Sequence, residues 1–239
     1  QKKQLRFRAN GQFRVLMVSD FHGIPDFNPK LKISLEALGE DTQPDLVMLG
    51  GDQLCNIDEE TLRAYLENVM EPVQKRNIPW AHVFGNHDPE QNMNKEDMER
   101  VYESFPLCLS RRGPKEISGI PNYCLPVLAH DSDEIKYNLW ALDSFSSTRD
   151  FVREMHLPET FGFRDFSLPR PFGSAHDQPA PMFNQVMWYY NESVNIEKEN
   201  GKKAQSRAKA NIRNKKQTFS IEHFGPGRQT LSFAPGKII

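Results

Sequence analysis

The chain has 239 residues, 38% of them hydrophobic and 26% charged, with 30 lysines and arginines against 32 acidic residues for a net charge of −2. That length suits one large α/β domain, and the near-neutral balance argues against nucleic acid as a general partner, because such proteins carry a strongly basic face. No apolar run reaches the ~20 residues of a membrane helix, and Cys55, Cys108 and Cys124, an odd set without CxxC spacing, argue against a disulfide framework or a zinc knuckle. The chain is therefore expected to be soluble, and its start at Gln1 rather than methionine fits either trimming or prior removal of an export signal, which leaves the compartment open.

In chain order, Phe13 to Val18 reads as an apolar strand followed at once by Asp20-Phe21-His22. In an extended backbone residues i and i+2 share a side, so Asp20 and His22 are expected to grip one cation while Phe21 turns to packing. Pro29, Leu31, Leu35 and Leu38 predict a short helix ending near Gly39. A second strand, Leu46 to Leu49, leads into Gly50-Gly51-Asp52. Glycines there let the backbone approach an ion or phosphate closely, and the Asp52 carboxylate is placed to bridge two metals. Asp58 is expected to cap a helix whose Leu62, Leu66, Val69 and Val73 share one face. The third strand, Trp80 to Phe84, ends in Gly85-Asn86-His87-Asp88. Asn86 offers a neutral oxygen ligand and His87 a proton for a leaving group, with Asp88 expected to orient its imidazole. His82, inside the strand run, reads as a core or edge histidine.

Further on, Asn94 caps a helix with Met98, Val101, Tyr102 and Phe105 inward, and Tyr123 to Leu128 pairs with Lys136 to Leu142 across the polar turn Ala129 to Glu134. His130 in that turn is expected to be exposed, and Asp143 either supports the site or caps a turn. Phe145 to Met182, rich in proline and aromatics, predicts a long surface excursion, with His176 beside Asp177 as a spare ligand. A final helix places Phe183, Met187, Tyr190 and Val194 on one side and stops at Asn200-Gly201. From Gln205 to Ile239 one acidic residue, Glu222, faces seven lysines and arginines. The organisation expected is a domain over residues 1–204 and a divergent, basic and disordered tail over 205–239. Its basic run, Lys202 to Lys216, reads as a solvated stretch rather than a nucleic-acid or membrane contact.

Three strand ends that deliver carboxylates, imidazoles and an amide are what a catalytic metal site on an α/β sheet requires. Two divalent ions carry four positive charges, and Asp20 and Asp52 return only two, so the site stays positive and attracts a phosphate. The chemistry implied is hydrolysis of a phosphoester, with no serine or cysteine nucleophile required.

Asp20-x-His22, Gly51-Asp52 and Gly85-Asn86-His87-Asp88, in this order, resemble the first three motifs of the calcineurin-like metallophosphoesterase superfamily. Ser110 to Pro114, Gly119 to Tyr123 and Asn138 to Ser144 are similar to a branch related to purple acid phosphatases. The resemblance implies a layered α/β/β/α sandwich and a phosphatase or phosphodiesterase using two divalent ions of manganese, iron or zinc and a metal-bound hydroxide. It implies Asp20 and His22 on the first metal, Asp52 bridging, Asn86 on the second metal, and His87 and Asp88 in catalysis. Cys55 stands where purple acid phosphatases have a tyrosine, so a tyrosinate-ligated ferric ion is not expected. The family completes its site with a later histidine and a Gly-His-x-His segment, and His130, His156, His176 and His223 stand in no such setting. The second metal site is thus expected to be weak, with His176 or His223 as substitute donors, and a non-catalytic relic that binds phosphorylated ligands is the alternative function. Substrate identity and oligomeric state are not written in these motifs.

Overall fold

A computed structural model describes residues 2–23, 29–54, 58–88, 93–145 and 181–207 and the backbone of 218–225 and 227–233, with side chains described up to residue 201. Among the described residues the strands are β1 (Leu5–Arg6), β2 (Gln12–Val18), β3 (Leu46–Leu49), β4 (Trp80–His82), β5 (Tyr123–Leu128), β6 (Ile135–Ala141), β7 (Thr218–Gly225) and β8 (Gly227–Phe233). The helices are α1 (Pro29–Thr42), α2 (Glu59–Val69), α3 (Glu71–Lys75), α4 (Lys95–Ser104) and α5 (Phe183–Arg207). The strands form a five-stranded sheet, β4-β3-β2-β7-β8, and a three-stranded sheet, β1-β5-β6.

The central strands are apolar on both faces, as strands covered on both sides must be. Phe13, Val15, Leu46 and Ala81 pack with Leu5, Phe7, Leu125 and Val127 between the two sheets. Their neighbours Leu16, Val18, Val47 and Leu49 point the other way, onto Leu35 of α1, Leu62 and Leu66 of α2, and Met98 and Val101 of α4. Each such side chain taken out of water is worth about 1.5–3 kcal/mol, which seats these helices on the large sheet. On the far side, α5 covers the small sheet. The Trp188 and Tyr189 rings lie 5.6 and 4.8 Å from Trp140, and Asn200 exchanges two hydrogen bonds of 2.8 Å with the backbone of Ile135. Helices, sheet, sheet and helix make four layers, the α/β/β/α sandwich expected from the resemblance.

Asp58 caps α2 by accepting from Thr61 N at 2.8 Å, and Asn94 caps α4 by accepting from Asp97 N at 2.8 Å, both as expected. Other boundaries differ. Helix α1 runs past Gly39 to Thr42, because Gln43 takes the left-handed position at φ 45° and donates back to Gly39 O. Helix α5 runs through Asn200-Gly201 to Arg207, since Asn200 spends its side chain on β6 rather than on a cap. The apolar side of α5 is exposed at Phe183 and Tyr190, 77% and 60%, because Trp188 and Gln185 hold the sheet side. Three elements, β1, β7 and β8, are not legible in the sequence pattern. The two-residue β1 is too short to show a pattern, and β7 has Phe219 and Ile221 alternating with Ser220 and Glu222 inside a basic stretch. Strand β7 pairs in parallel with β2, with His223 opposite Met17, so backbone of the segment read as a tail extends the large sheet. Cys55, the excursion over 146–180 with His156 and His176, and residues 208–217 of the basic run lie outside the described residues.

Candidate metal centre

The loops after β2 and β3 run side by side beyond the strands. Asp20 N donates to Gly51 O at 3.0 Å, His22 N to Asp52 O and Gly23 N to Gln53 O, both at 2.9 Å. Three non-glycine residues here have positive φ: Asp20 at 58°, His22 at 41° and Asp52 at 54°. A run of this kind is uncommon outside functional sites, because each left-handed residue carries steric strain that its surroundings must hold. The extended geometry expected for Asp20-Phe21-His22 is therefore replaced. The two side chains converge because the backbone turns at both residues.

The ligand atoms of Asp20, His22 and Asp52 all lie within 4.8 Å of one another. His22 Nε2 is 3.8 Å from Asp20 Oδ1, and both side chains are open to solvent, while Asp52 is only 6% exposed. Oxygen and nitrogen ligands sit about 2.0–2.2 Å from a divalent ion, so two on one ion stand at most about 4.4 Å apart. Asp20 and His22 already meet that limit and Asp52 lies close to it. Two carboxylates and an imidazole are also the donor types that suit a zinc-like or manganese-like ion. The residues present fit a cation.

The turn after β4 completes the arrangement. His87 N donates to Asp52 Oδ1 at 2.8 Å, and the His87 ring centroid is 5.5 Å from that of His22. Asn86 lies exposed one residue earlier on this turn. Asp88 is buried, and its Oδ2 accepts from Gly85 N at 2.6 Å and Asp52 N at 2.9 Å, with Gln53 N a longer 3.4 Å from Oδ1. Burial pushes its carboxyl above the usual range, and these backbone donors pull the other way. Its oxygens thus go to the backbone of two loops rather than only to the imidazole that sequence reading gave it. The loops touch so closely that a Cβ at Gly51, which has φ 102°, would stand 2.3 Å from Gly85 N. A side chain there has no room.

Other candidates fall elsewhere. His130 is exposed. Asp143 supports a turn from the interior, accepting from Ile120 N at 2.8 Å and Phe145 N at 2.9 Å and pairing with buried Lys95 at 2.8 Å. His82 is a fully buried core histidine, as expected, but its Glu99 and Ser110 partners were not foreseen. Glu99 on α4 and Ser110 carry no signal of their own in the sequence, and only packing reveals them.

Comparison with known proteins agrees with this geometry. The profile of calcineurin-like phosphoesterases matches residues 13–196. The chain is 26% identical over 170 residues to the probable inactive purple acid phosphatase 29 of Arabidopsis thaliana, covering 60% of this chain and 43% of that protein. It is 27% identical over 174 residues to the probable inactive purple acid phosphatase 14 of the same plant, at 62% and 43% coverage. It is 25% identical over 166 residues to the phosphatase DCR2 of Saccharomyces cerevisiae, at 59% and 28% coverage. The chain thus spans less than half the length of these relatives. Since the match spans well over half of the chain and takes in all three loops of the candidate centre, the chain belongs to the calcineurin-like phosphoesterase family.

Proposed function

We propose that this chain is a metal-dependent phosphoester hydrolase whose cation is held by Asp20, His22 and Asp52, with Asn86 beside a second, weaker position. The observation that carries this reading is the convergence of two carboxylates and an imidazole within 4.8 Å, from two loops held in left-handed conformations. A bound divalent ion supplies Lewis-acid polarisation of a phosphoryl oxygen and acidification of water. The chain's own residues do the rest. His87, on the rim beside His22, gives a proton from a ring nitrogen to the departing alkoxide. Asp88 holds the Asp52 and Gly85 amides, which keeps the Asp52 carboxylate turned into the cluster. Exposure of Asp20 and His22 leaves the centre open to a phosphate arriving from solvent.

The alternative reading is a relic that retains the cation or phosphate without turnover. It is supported by two relatives that carry the word inactive in their names. Assay with p-nitrophenyl phosphate and its bis ester in added manganese separates the two. Turnover abolished by Asp52→Asn supports the hydrolase, whereas a protein that binds manganese but turns over neither ester is the relic. Metal counted after dialysis against manganese is expected to show one ion retained weakly. Two firmly held ions per chain would overturn the weak second position.

A further inference from the structure

The turn that carries Asn86 and His87 hangs from β4, which has three residues and, among the described residues, only β3 as a sheet neighbour, at the edge of the large sheet. Its other side is held by the segment after α4. Trp80 N donates to Leu107 O at 3.0 Å and Leu109 N to Trp80 O at 2.7 Å. Two residues further along β4 the pattern changes. His82 N donates at 2.7 Å to the side-chain hydroxyl of Ser110 instead of to a carbonyl.

The His82 imidazole then fixes the same point in three more directions. Nδ1 is 2.8 Å from Ser110 Oγ, and Nε2 is 3.0 Å from Glu99 Oε2 on α4. The ring also stacks on Tyr102 with centroids 3.6 Å apart and planes at 15°. Behind it, the Tyr123 hydroxyl of the small sheet donates to His82 O. His82, Ser110 and Glu99 are 0%, 0% and 1% exposed. Serine, histidine and carboxylate here have the spacing of a hydrolase triad, but no substrate reaches a sealed group, and Ser110 Oγ is already occupied by His82 N. A nucleophilic role is therefore ruled out, and a mechanical one remains. Among the described residues neither Glu99 oxygen has an aligned hydrogen-bond donor, so the Nε2 contact is one of charge. A carboxylate sealed in apolar surroundings without a hydrogen bond is costly, and the imidazolium is what keeps it there.

We propose that the Glu99–His82–Ser110 relay is a positioning device for the metal centre: it locks the end of β4 to α4 and so sets where the Gly85–Asp88 turn meets the Asp52 loop. This deepens the metal-centre reading and rests on it for its consequence. The supporting chain is short. His82 is followed two residues later by Phe84, whose ring lies 4.9 Å from the imidazole, and then by Gly85, whose N–H is held by Asp88.

The test uses Glu99→Gln, nearly the same shape without the charge, and Ser110→Ala, with Val69→Ala in α2 as a core variant destabilised away from the turn. Amide exchange of Gly85 and His87 reads the turn with no metal present, since these amides open locally rather than by global unfolding. Calorimetric titration with manganese reads the consequence. Both relay variants are expected to exchange these two amides at least tenfold faster than wild type and to bind manganese about tenfold more weakly. Val69→Ala should lower the thermal midpoint and change neither. If Glu99→Gln and Ser110→Ala exchange Gly85 and His87 at the wild-type rate, the relay is ordinary core and the proposal is overturned, even if manganese binds. If exchange accelerates while wild type itself takes up no manganese, the positioning stands and the metal reading fails.

Discussion

Gly85→Ala probes the closest contact in the candidate centre. A methyl at this position would stand 2.3 Å from Asp52 Oδ1, 2.6 Å from Asp52 Cγ and 2.7 Å from Asp52 N. The first contact falls 1.1 Å short of the 3.4 Å at which ordinary packing begins. Rotating the carboxylate does not relieve it, because Oδ1 holds the His87 amide at 2.8 Å and the Asp52 backbone is itself one of the clashing partners. The Asp52 loop must shift as a unit, and that carries the carboxylate away from Asp20 and His22. Misplacement by about 1 Å at a reacting group costs on the order of 100-fold in rate, and disturbed support around a metal ligand costs about 10–100-fold in affinity. Manganese affinity by calorimetry is expected to fall at least tenfold and p-nitrophenyl phosphate turnover about 100-fold. Gly39→Ala is the companion control. Nothing lies within 4 Å of its added methyl, in the interior of α1, so it should gain about 0.5–1 kcal/mol and leave the metal affinity alone. A Gly85→Ala protein with wild-type manganese affinity would refute the claim that this close approach sets the site.

Three further outcomes are expected. Burial pulls the His82 imidazole down, but Glu99 and Cys108 together outweigh it and hold the group up at about 9 against an ordinary 6.5. Because the folded value is the higher one, this contribution, on the order of 3 kcal/mol, is complete below pH 6.5 and disappears as pH rises through about 9. Urea unfolding from pH 6 to 10 should show that decline, and Glu99→Gln should flatten it. Asp88→Asn keeps one oxygen for the Gly85 and Asp52 amides and turns an NH2 toward the Gln53 amide that Oδ1 accepts at 3.4 Å, so a buried amide loses its acceptor at a cost of about 1–3 kcal/mol, read as a lower urea midpoint. An undiminished midpoint would mean that the two loops are joined by other contacts. The parallel register of β7 with β2 sets His223 opposite Met17, at the sheet end that leads to Asp20. His223→Ala is expected to weaken manganese binding about tenfold, and equal affinity would leave the centre to the three loops alone.

The sequence by itself determined the ligand types and their strand ends. Phe13 to Val18, Leu46 to Leu49 and the start of Trp80 to Phe84 are apolar runs interrupted by acids, histidines and glycines, and such interruptions are local. The Asp58 and Asn94 caps were legible for the same reason, since a cap bonds within its own turn. Only the tertiary structure decided how these pieces meet. Asp88 reaches Asp52 across 36 positions, and Gln185 reaches Asn122 across 63. The left-handed turns at Asp20, His22 and Asp52 are imposed by the adjoining loop rather than by residue preference, so an extended geometry was the natural expectation from local pattern. The burial of His82 against Glu99 depends on α4 folding back over the sheet, and β7 gains its place only because β2, some two hundred positions earlier, offers it an open edge. Residue chemistry is carried along the chain, whereas convergence is a property of contacts between segments that the chain keeps far apart.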